Sequence, residues 1–398
     1  MIKFIKKCLK IEQSIKNKDK IEALKNKYNV DTLFSWSKFS LYEKDPYSYL
    51  LKYINKVQMD RPDNAYSFLG GVSHDLIEKY YNNEITKEEM IEIFNDNIEL
   101  QNLSNNLKFS TNAEQNTTIQ LNYVSCMRHY FNNCQKETGA KLEQLIWAKL
   151  GDHLFHGYID MLRVDNDNNI IVTDFKTSTV YKGKKIEEEK GQLLLYAIMI
   201  HKQFPDIPYD KIKVCWNFLK YATLEHQQVN GAIKQTMCLR NELYQKLIPK
   251  VKMWMRKFKY NNDEIQSVIT KIEEENQLFY IDNDLLNNIP IELRDKFNIC
   301  DCIVDIPFSE NEINHFEREI IEKCDEIEEK TKLYKETNDE HLFWSDVRNE
   351  NLYYYLNLCS YGVQKHKPLK EFYQELDKMN EEQLSDSDKS VIMDFLFS

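Results

Sequence analysis

Glycine and proline are scarce in this chain, nine and eight among 398 residues, so it has few built-in breaks. With abundant Lys, Glu, Asn, Ile and Tyr, that scarcity favours helices joined by short connections, and a mostly helical shell is expected. No apolar run approaches the roughly 18 residues that a membrane span needs. The opening MIKFIKKCLKIEQSIKNK also lacks an apolar stretch long enough for a secretory signal. A cytoplasmic protein with no membrane partner is the resulting expectation. Nine cysteines, scattered and odd in number, argue for free thiols rather than a disulfide framework. A positive excess is missing too: 53 Lys and Arg against 64 Asp and Glu give −11, which argues against a general polyanion binder. The asymmetry within the chain leaves room for a local basic channel. Residues 1–28 are rich in lysine and residues 231–260 are basic, whereas the chain from about Ser309 onward is acidic.

What is present is a globular composition, 42% hydrophobic and 29% charged, long enough for one large domain with insertions or for two domains. Residues 2–28 carry one helical stripe of Ile and Leu. DTLFSWSKFSLYEKDPYSYLLKYI offers an N-cap at Ser35 or Ser37 and a break at Asp45-Pro46, with Tyr47, Tyr49 and Tyr53 among apolar neighbours that suit a core. Gly70-Gly71 is expected to break the chain before a helix that places His74 and Glu78 on one face. Residues 86–137 read as two or three helices. KLEQLIWAKL, GDHLFHGYIDMLRV and NNIIVTDFKTS alternate as three antiparallel strands, with turns at Gly151-Asp152 and Asp165–Asn169. A helix from about Gly191 to Phe204 follows, then a buried strand at Ile212–Leu219. A long basic helix is expected over about Ala232–Lys259, kinked or divided at Pro249. Further on come the strand CIVDIPFS and the amphipathic helix beginning EINHFEREIIEKC.

The chemistry concentrates between Gly157 and Tyr196. Successive strand side chains alternate faces, so Asp174 and Lys176 point the same way with Phe175 turned into the core. A carboxylate and an ammonium on an otherwise apolar strand are costly unless they pair or meet a metal. Asp160 lies on the preceding strand, fourteen residues earlier, with the DNDNN turn between. Two neighbouring carboxylates with no cysteine nearby favour Mg²⁺ or Mn²⁺ over zinc. D-x-K alone is also what a buried ion pair looks like, with Asp160 capping a turn, and His74 alone is also what a structural histidine looks like. The ordered set is more specific: a His after glycines, an Asp at a strand end, D-x-K on an apolar strand, then Gln192 and Tyr196 one helical turn apart. His156 shares the strand face of Asp160, and Asp/His-rich hairpin edges are commonly just solvated.

At these residues the chain resembles the PD-(D/E)XK nuclease superfamily, and within it the RecB-like exonuclease branch that includes the AddB nuclease domain and CRISPR-adaptation nucleases. Gly70-Gly71-Val72-Ser73-His74 fits that branch's G-x-x-x-H, Gly157-Tyr158-Ile159-Asp160 its G-x-x-D, Asp174-Phe175-Lys176 its D-x-K, and Gln192 to Tyr196 its Q-x-x-x-Y. The match is good over about Ser35–Tyr221 and loose elsewhere. The resemblance implies that His74, Asp160, Asp174 and the Phe175 backbone carbonyl hold a Mg²⁺ or Mn²⁺ ion; Glu78 is either a partner that supports His74 or a solvated helix residue. It also implies that Lys176 is the catalytic lysine and that Gln192 and Tyr196 position the scissile phosphate or the strand. Several members of the branch hold an iron–sulfur cluster on one early and three late cysteines. Here Asp45 stands at the early position, and the tail FWSDVRNENLYYYLNLCSYGVQKHKP keeps only Cys359. A cluster needs four thiolates and Cys300-Asp301-Cys302 reads as structural, so no cluster is expected.

The expected fold is α/β of mixed α+β character, a restriction-endonuclease-like core whose central mixed sheet is flanked by helices, with extra helical segments at both ends. Three segments are expected: 1–34 helical; 35–225 the nuclease core, with a helical insertion around 86–137; and 226–398 helical, with a strand near 300–307 completing or packing on the core. Lys182, Lys184, Lys185, Arg240, Lys250, Trp254 and Arg256 suit a groove that tracks phosphates. The expected function is a metal-dependent DNA exonuclease of recombination, replication or repair, acting on single strands or ends, and the Lys/Asn/Ile-rich composition suits an AT-rich bacterial or phage genome. No G-x-x-x-x-G-K-[ST] signature occurs, so unwinding falls to a helicase or recombinase partner. The alternatives are a structure-specific endonuclease and a non-catalytic module binding DNA or a partner on the same fold.

Overall fold

A computed structural model of the chain describes residues 18–30, 32–60, 65–103, 108–109, 113–277 and 285–378. The lysine-rich stretch 1–17 expected to open a helix lies outside the described residues. The chain divides into two units, Met1–Thr32 with Ala65–Glu317, and Leu33–Asn64 with Arg318–Ser398.

In the first unit, helix α1 (Lys18–Tyr28) precedes α2 (Ala65–Tyr81), α3 (Lys87–Leu103) and α4 (Ala113–Asn133). The alternating segments then form β1 (Lys141–Leu150), β2 (His153–Val164) and β3 (Ile170–Lys176), an antiparallel meander. Helix α5 (Gly191–Gln203) carries the chain to β4 (Ile212–Gln227), parallel to β3, as a helical crossover permits. Then come β5 (Ile233–Leu239), α6 (Leu243–Lys257), α7 (Asn262–Gln277) and β6 (Phe297–Ile306). The sheet runs β1-β2-β3-β4-β5, with β6 on the other edge of β4. This is the expected mixed sheet flanked by helices, and it is consistent with a restriction-endonuclease-like fold.

Both faces of the sheet are packed where the site lies. Leu69, Leu76 and Ile77 of α2, Phe94 of α3 and Met127 and Phe131 of α4 meet Met161, Phe175 and Leu219 from the strands. On the opposite side α5 is buried from Leu193 to Ile200, an apolar surface all round, as a helix laid across a sheet and covered again requires. A separate cluster joins α6 and α7 to Ala222, Leu224, Cys238 and Phe297.

Several expectations are corrected. Helix α2 runs unbroken through Gly70-Gly71. The first of these glycines serves proximity, since a Cβ at Gly70 would lie 3.2 Å from Thr177 Oγ1. The basic segment from Ala232 is first a strand, β5, because residues 221–227 of β4 offer it a free ladder edge. The helix begins only at Leu243 and passes through Pro249 without dividing. Beyond residue 225, β5 joins the sheet where only helix was expected, and the strand expected near 300–307 is β6, which pairs with β4; Trp36–Lys44 falls in the second unit.

Arg240 and Trp254 do not offer themselves to a phosphate. Arg240 is 2% exposed, donating from Nε to the Leu219 carbonyl at 2.8 Å and from Nη2 to Asp301 Oδ1 at 2.6 Å, with its guanidinium over the Tyr130 ring. Trp254 is buried, and its indole N–H donates to the Gln227 carbonyl at 2.9 Å.

In the second unit Ser35 caps helix Trp36–Lys44, and Asp45-Pro46 breaks it before Pro46–Tyr49 and a π-helical turn, Leu50–Ile54. Tyr47 and Tyr49 are core residues, Tyr49 stacking on Phe343.

Candidate active site

Two short turns set the site. Gly151-Asp152 joins β1 to β2 with Leu150 opposite His153, and this register, kept through Gln144↔Ile159 and Leu142↔Met161, puts Glu143 across from Asp160. The loop 165–169 joins β2 to β3 with Val164 opposite Ile170, and Met161↔Thr173 in turn puts Asp160 across from Asp174. Residues opposite each other in antiparallel strands share a face. Glu143, Asp160 and Asp174 therefore form one row across three strands. Ionised, three carboxylates against the Lys176 ammonium leave two negative charges in a largely buried place. Like charges at about 4–5 Å repel by about 3–4 kcal/mol at an effective dielectric of about 20.

Each group has a defined partner. Asp174 is 3% exposed, and its Oδ2 lies 2.7 Å from Lys176 Nζ. Burial pulls the Lys176 ammonium down, but the Asp174 charge and hydrogen bond outweigh it and Asp160 adds to them, so the lysine sits above its ordinary value and stays protonated. Asp160 Oδ2 accepts the Phe175 amide at 2.7 Å, and its Oδ1 lies 3.6 Å from His74 Nδ1. The His74 Nε2 is 3.1 Å from the Phe175 carbonyl. A carbonyl only accepts, so Nε2 carries a proton and, in the neutral ring, the Nδ1 lone pair faces a carboxylate. Burial, opposed by the charges of Asp174 and Glu143, holds His74 below the usual imidazole value and keeps it neutral.

These groups fit a divalent cation. Donor atoms of His74, Glu143 and Asp160 all lie within 4.8 Å of one another, a spacing that ligands about 2.1 Å from a shared ion satisfy. A cation there would relieve both the carboxylate row and the lone pair of His74 turned toward it.

Glu143 escaped the sequence reading, where it looked like the polar face of an alternating strand. It is 8% exposed and adopts φ +49°, a left-handed conformation that costs a non-glycine residue about 1–2 kcal/mol and tends to mark functional positions. The signal that finds it is arithmetic: a two-residue turn at Gly151-Asp152 makes 143 the partner of 160.

The remaining expected residues divide. Gln192 Nε2 donates to the Tyr196 hydroxyl at 2.9 Å, which donates to the Tyr158 carbonyl at 2.6 Å. Tyr196 is buried, and a Cβ at Gly157 would come within 2.9 Å of its ring, so the glycine of G-x-x-D makes room for the tyrosine of Q-x-x-x-Y. Burial first, then the charges of Asp174 and Asp160, raise the Tyr196 phenol and keep it a donor. Glu78 and His156 are half-buried. Lys182 and Arg256 are exposed, while Lys184 pairs with Glu188, Lys185 with Glu189, and Lys250 donates to the Lys246 carbonyl.

The second unit holds another cluster of metal-ligand types, Asp45, Cys359 and His366, all buried. Its hydrogen bonds tell a different story. Asp45 accepts from the Ser48 amide at 3.1 Å, the Ser48 hydroxyl at 2.5 Å, Ser345 Oγ at 2.5 Å and His366 Nε2 at 3.0 Å. The Leu369 amide donates to His366 Nδ1 at 3.2 Å, so the ring proton sits on Nε2 and is spent on Asp45. No lone pair faces the carboxylate, in contrast to His74.

A mixed sheet presenting a carboxylate row, a lysine at the end of β3 and a helix packed beside them forms a candidate site for a divalent cation. The family model of the PD-(D/E)XK nuclease superfamily matches residues 33–338, and the chain belongs to that superfamily. A search of curated proteins returns no match.

Substituting Glu143 tests the row directly. Glu143→Gln keeps the shape and removes one charge, and it is expected to weaken Mn²⁺ binding, measured by calorimetry, by at least about tenfold. Unchanged binding would remove Glu143 from the site.

Proposed function

We propose that this protein is a Mg²⁺- or Mn²⁺-dependent deoxyribonuclease, acting as an exonuclease on single strands or DNA ends in recombination, replication or repair. The observation that carries this reading is the row Glu143–Asp160–Asp174 beside a protonated Lys176. His74, Glu143 and Asp160, with Asp174 and the Phe175 carbonyl adjoining, would hold a divalent ion, which would supply an acidified water and neutralise charge on the phosphate.

The side chains have separate tasks. Lys176, kept protonated by Asp174, donates to the phosphate oxygens where negative charge accumulates, a role of electrostatic stabilisation rather than of base. Asp160, fixed by the Phe175 amide, keeps one oxygen turned inward toward His74. Tyr196 locks α5 to β2 through the Tyr158 carbonyl, and that lock aims the Gln192 amide. Strand separation comes from a helicase or recombinase partner, and the place of action is the cytoplasm, that of the host if the protein is phage-encoded. No described helix is long and apolar enough to cross a membrane.

End-labelled linear DNA and circular single-stranded DNA, each with Mg²⁺, Mn²⁺ or EDTA, test the reading. Metal-dependent shortening of the linear substrate with the circle intact is expected, and opening of the circle would make the enzyme an endonuclease. Asp174→Ala and Lys176→Ala are each expected to lower the rate by at least about 10³-fold with the fold retained, and to lower the melting temperature because each leaves a buried partner charge unpaired. Near-normal hydrolysis by both variants would sink the mechanism.

The second unit is proposed to hold no iron–sulfur cluster, because Asp45 and His366 satisfy each other and Cys359 is the one thiol in their cluster. Purified protein should be colourless and free of stoichiometric iron. Asp45→Ala strands buried donors and should cost about 3 kcal/mol in denaturant unfolding. Brown protein with bound iron would refute this.

A further inference from the structure

Strand β4 changes neighbours midway along its length. Its pairing with β3 ends at Lys176↔Phe218, and its pairing with β5 begins at Tyr221↔Leu239. On the other edge the register with β6 shifts between Asn217 and Ala222. Leu219 and Lys220 thus fall between ladders on both edges, directly past the end of the strand that carries Asp174 and Lys176. Irregularities of this kind re-aim side chains and recur beside active sites.

The two residues differ in burial, although both lie by Tyr123 of α4. Leu219 is fully buried in the core, and its carbonyl accepts from Arg240. Lys220, half-buried, reaches toward α4 with Nζ 5.2 Å from the centre of the Tyr123 ring. Among the described residues no carboxylate pairs with it. Burial holds its ammonium below the usual lysine value, and the opposing influence comes only from the Cys126 thiol. The Tyr123 hydroxyl in turn lies beside Thr177 and Ser73, the residues adjoining Lys176 and His74 in the chain. One aromatic ring separates Lys220 from the residues that border the carboxylate row.

An ammonium half out of water, facing an aromatic ring and no anion, is costly unless an anion arrives. A cation–π contact recovers only about 0.5–2 kcal/mol. We propose that Lys220 is a positioning residue that binds a backbone phosphate of the nucleic-acid strand next to the phosphate being cleaved, and so sets the register of the strand on the site. The inference rests on the nuclease reading and adds to it a contact outside the reacting atoms. The opposite sign of charge at the neighbouring carboxylate row makes such a fixed cation useful, because the row alone repels the strand that it must cleave.

The test uses the full chain and a fluorescein-labelled single-stranded oligothymidylate, with Ca²⁺ replacing Mg²⁺ for binding by anisotropy across a KCl series, and Mg²⁺ for steady-state cleavage. Lys220→Gln is expected to weaken binding about 5–10-fold and to flatten the salt dependence by about one phosphate. The loss should fall on KM far more than on kcat, and Lys220→Arg should restore it. If Lys220→Gln does not fold, Lys220→Met keeps the stem against Tyr123 and serves instead. Wild-type cleavage with binding and salt slope unchanged in the variant overturns the inference and leaves the nuclease reading intact. A variant that loses kcat or melting temperature alone, without arginine rescue, makes Lys220 structural and also overturns it. Wild-type protein that neither binds nor cleaves the oligonucleotide defeats both readings.

Discussion

Three carboxylates in one row of a sheet are the constraint around which the first unit is arranged. Glu143, Asp160 and Asp174 come from β1, β2 and β3 at positions that register alone fixes, and one ammonium cannot neutralise them. Everything that touches the row limits its repulsion or its freedom. Lys176 pairs with Asp174, the Phe175 amide ties down one oxygen of Asp160, and a neutral His74 brings a lone pair instead of a further charge. The arrangement is unfavourable by itself, and a divalent ion would relieve it, the usual sign of a site built for function rather than stability.

The helices serve that row. Gly70 lets α2 approach the end of β3 closely enough for His74 to reach the Phe175 carbonyl, and Gly157 leaves the space that Tyr196 fills. Both glycines work by the absence of a Cβ where two elements meet. The contrast between the two histidines shows how local donors decide chemistry. His366 receives an amide on Nδ1 and gives its proton to Asp45, a closed hydrogen-bond network, whereas His74 gives its proton to a carbonyl and leaves a lone pair facing Asp160.

Much of the fold was legible because strand alternation and turns are local. The three antiparallel strands, the α5 crossover, the Ser35 cap and the break at Asp45-Pro46 all follow from residues close in sequence. That His74, Asp160, Asp174 and Lys176 form a set was legible from their order, and the fold brings them together. What was not legible depends on distant partners. Ile233–Leu239 opens the basic segment 231–260 and reads as helix until β4 offers it an edge. Gly70-Gly71 reads as a break until Thr177 shows why a helix would tolerate glycine. Arg240 and Trp254 read as a phosphate-binding face until Asp301 and the Gln227 carbonyl claim their donors. The pairing of Asp45 with His366 spans 321 positions, and neither residue signals it alone. Glu143 is a different kind of miss, since the two-residue turn at Gly151-Asp152 already contained its register.

Locating a bound ion tests the central claim most directly. Crystals grown with MnCl₂ and measured at the manganese absorption edge are expected to show one strong anomalous peak coordinated by Glu143, Asp160 and His74. Absence of a peak at the row, or a peak coordinated by Asp45, Cys359 and His366 in its place, would contradict the account.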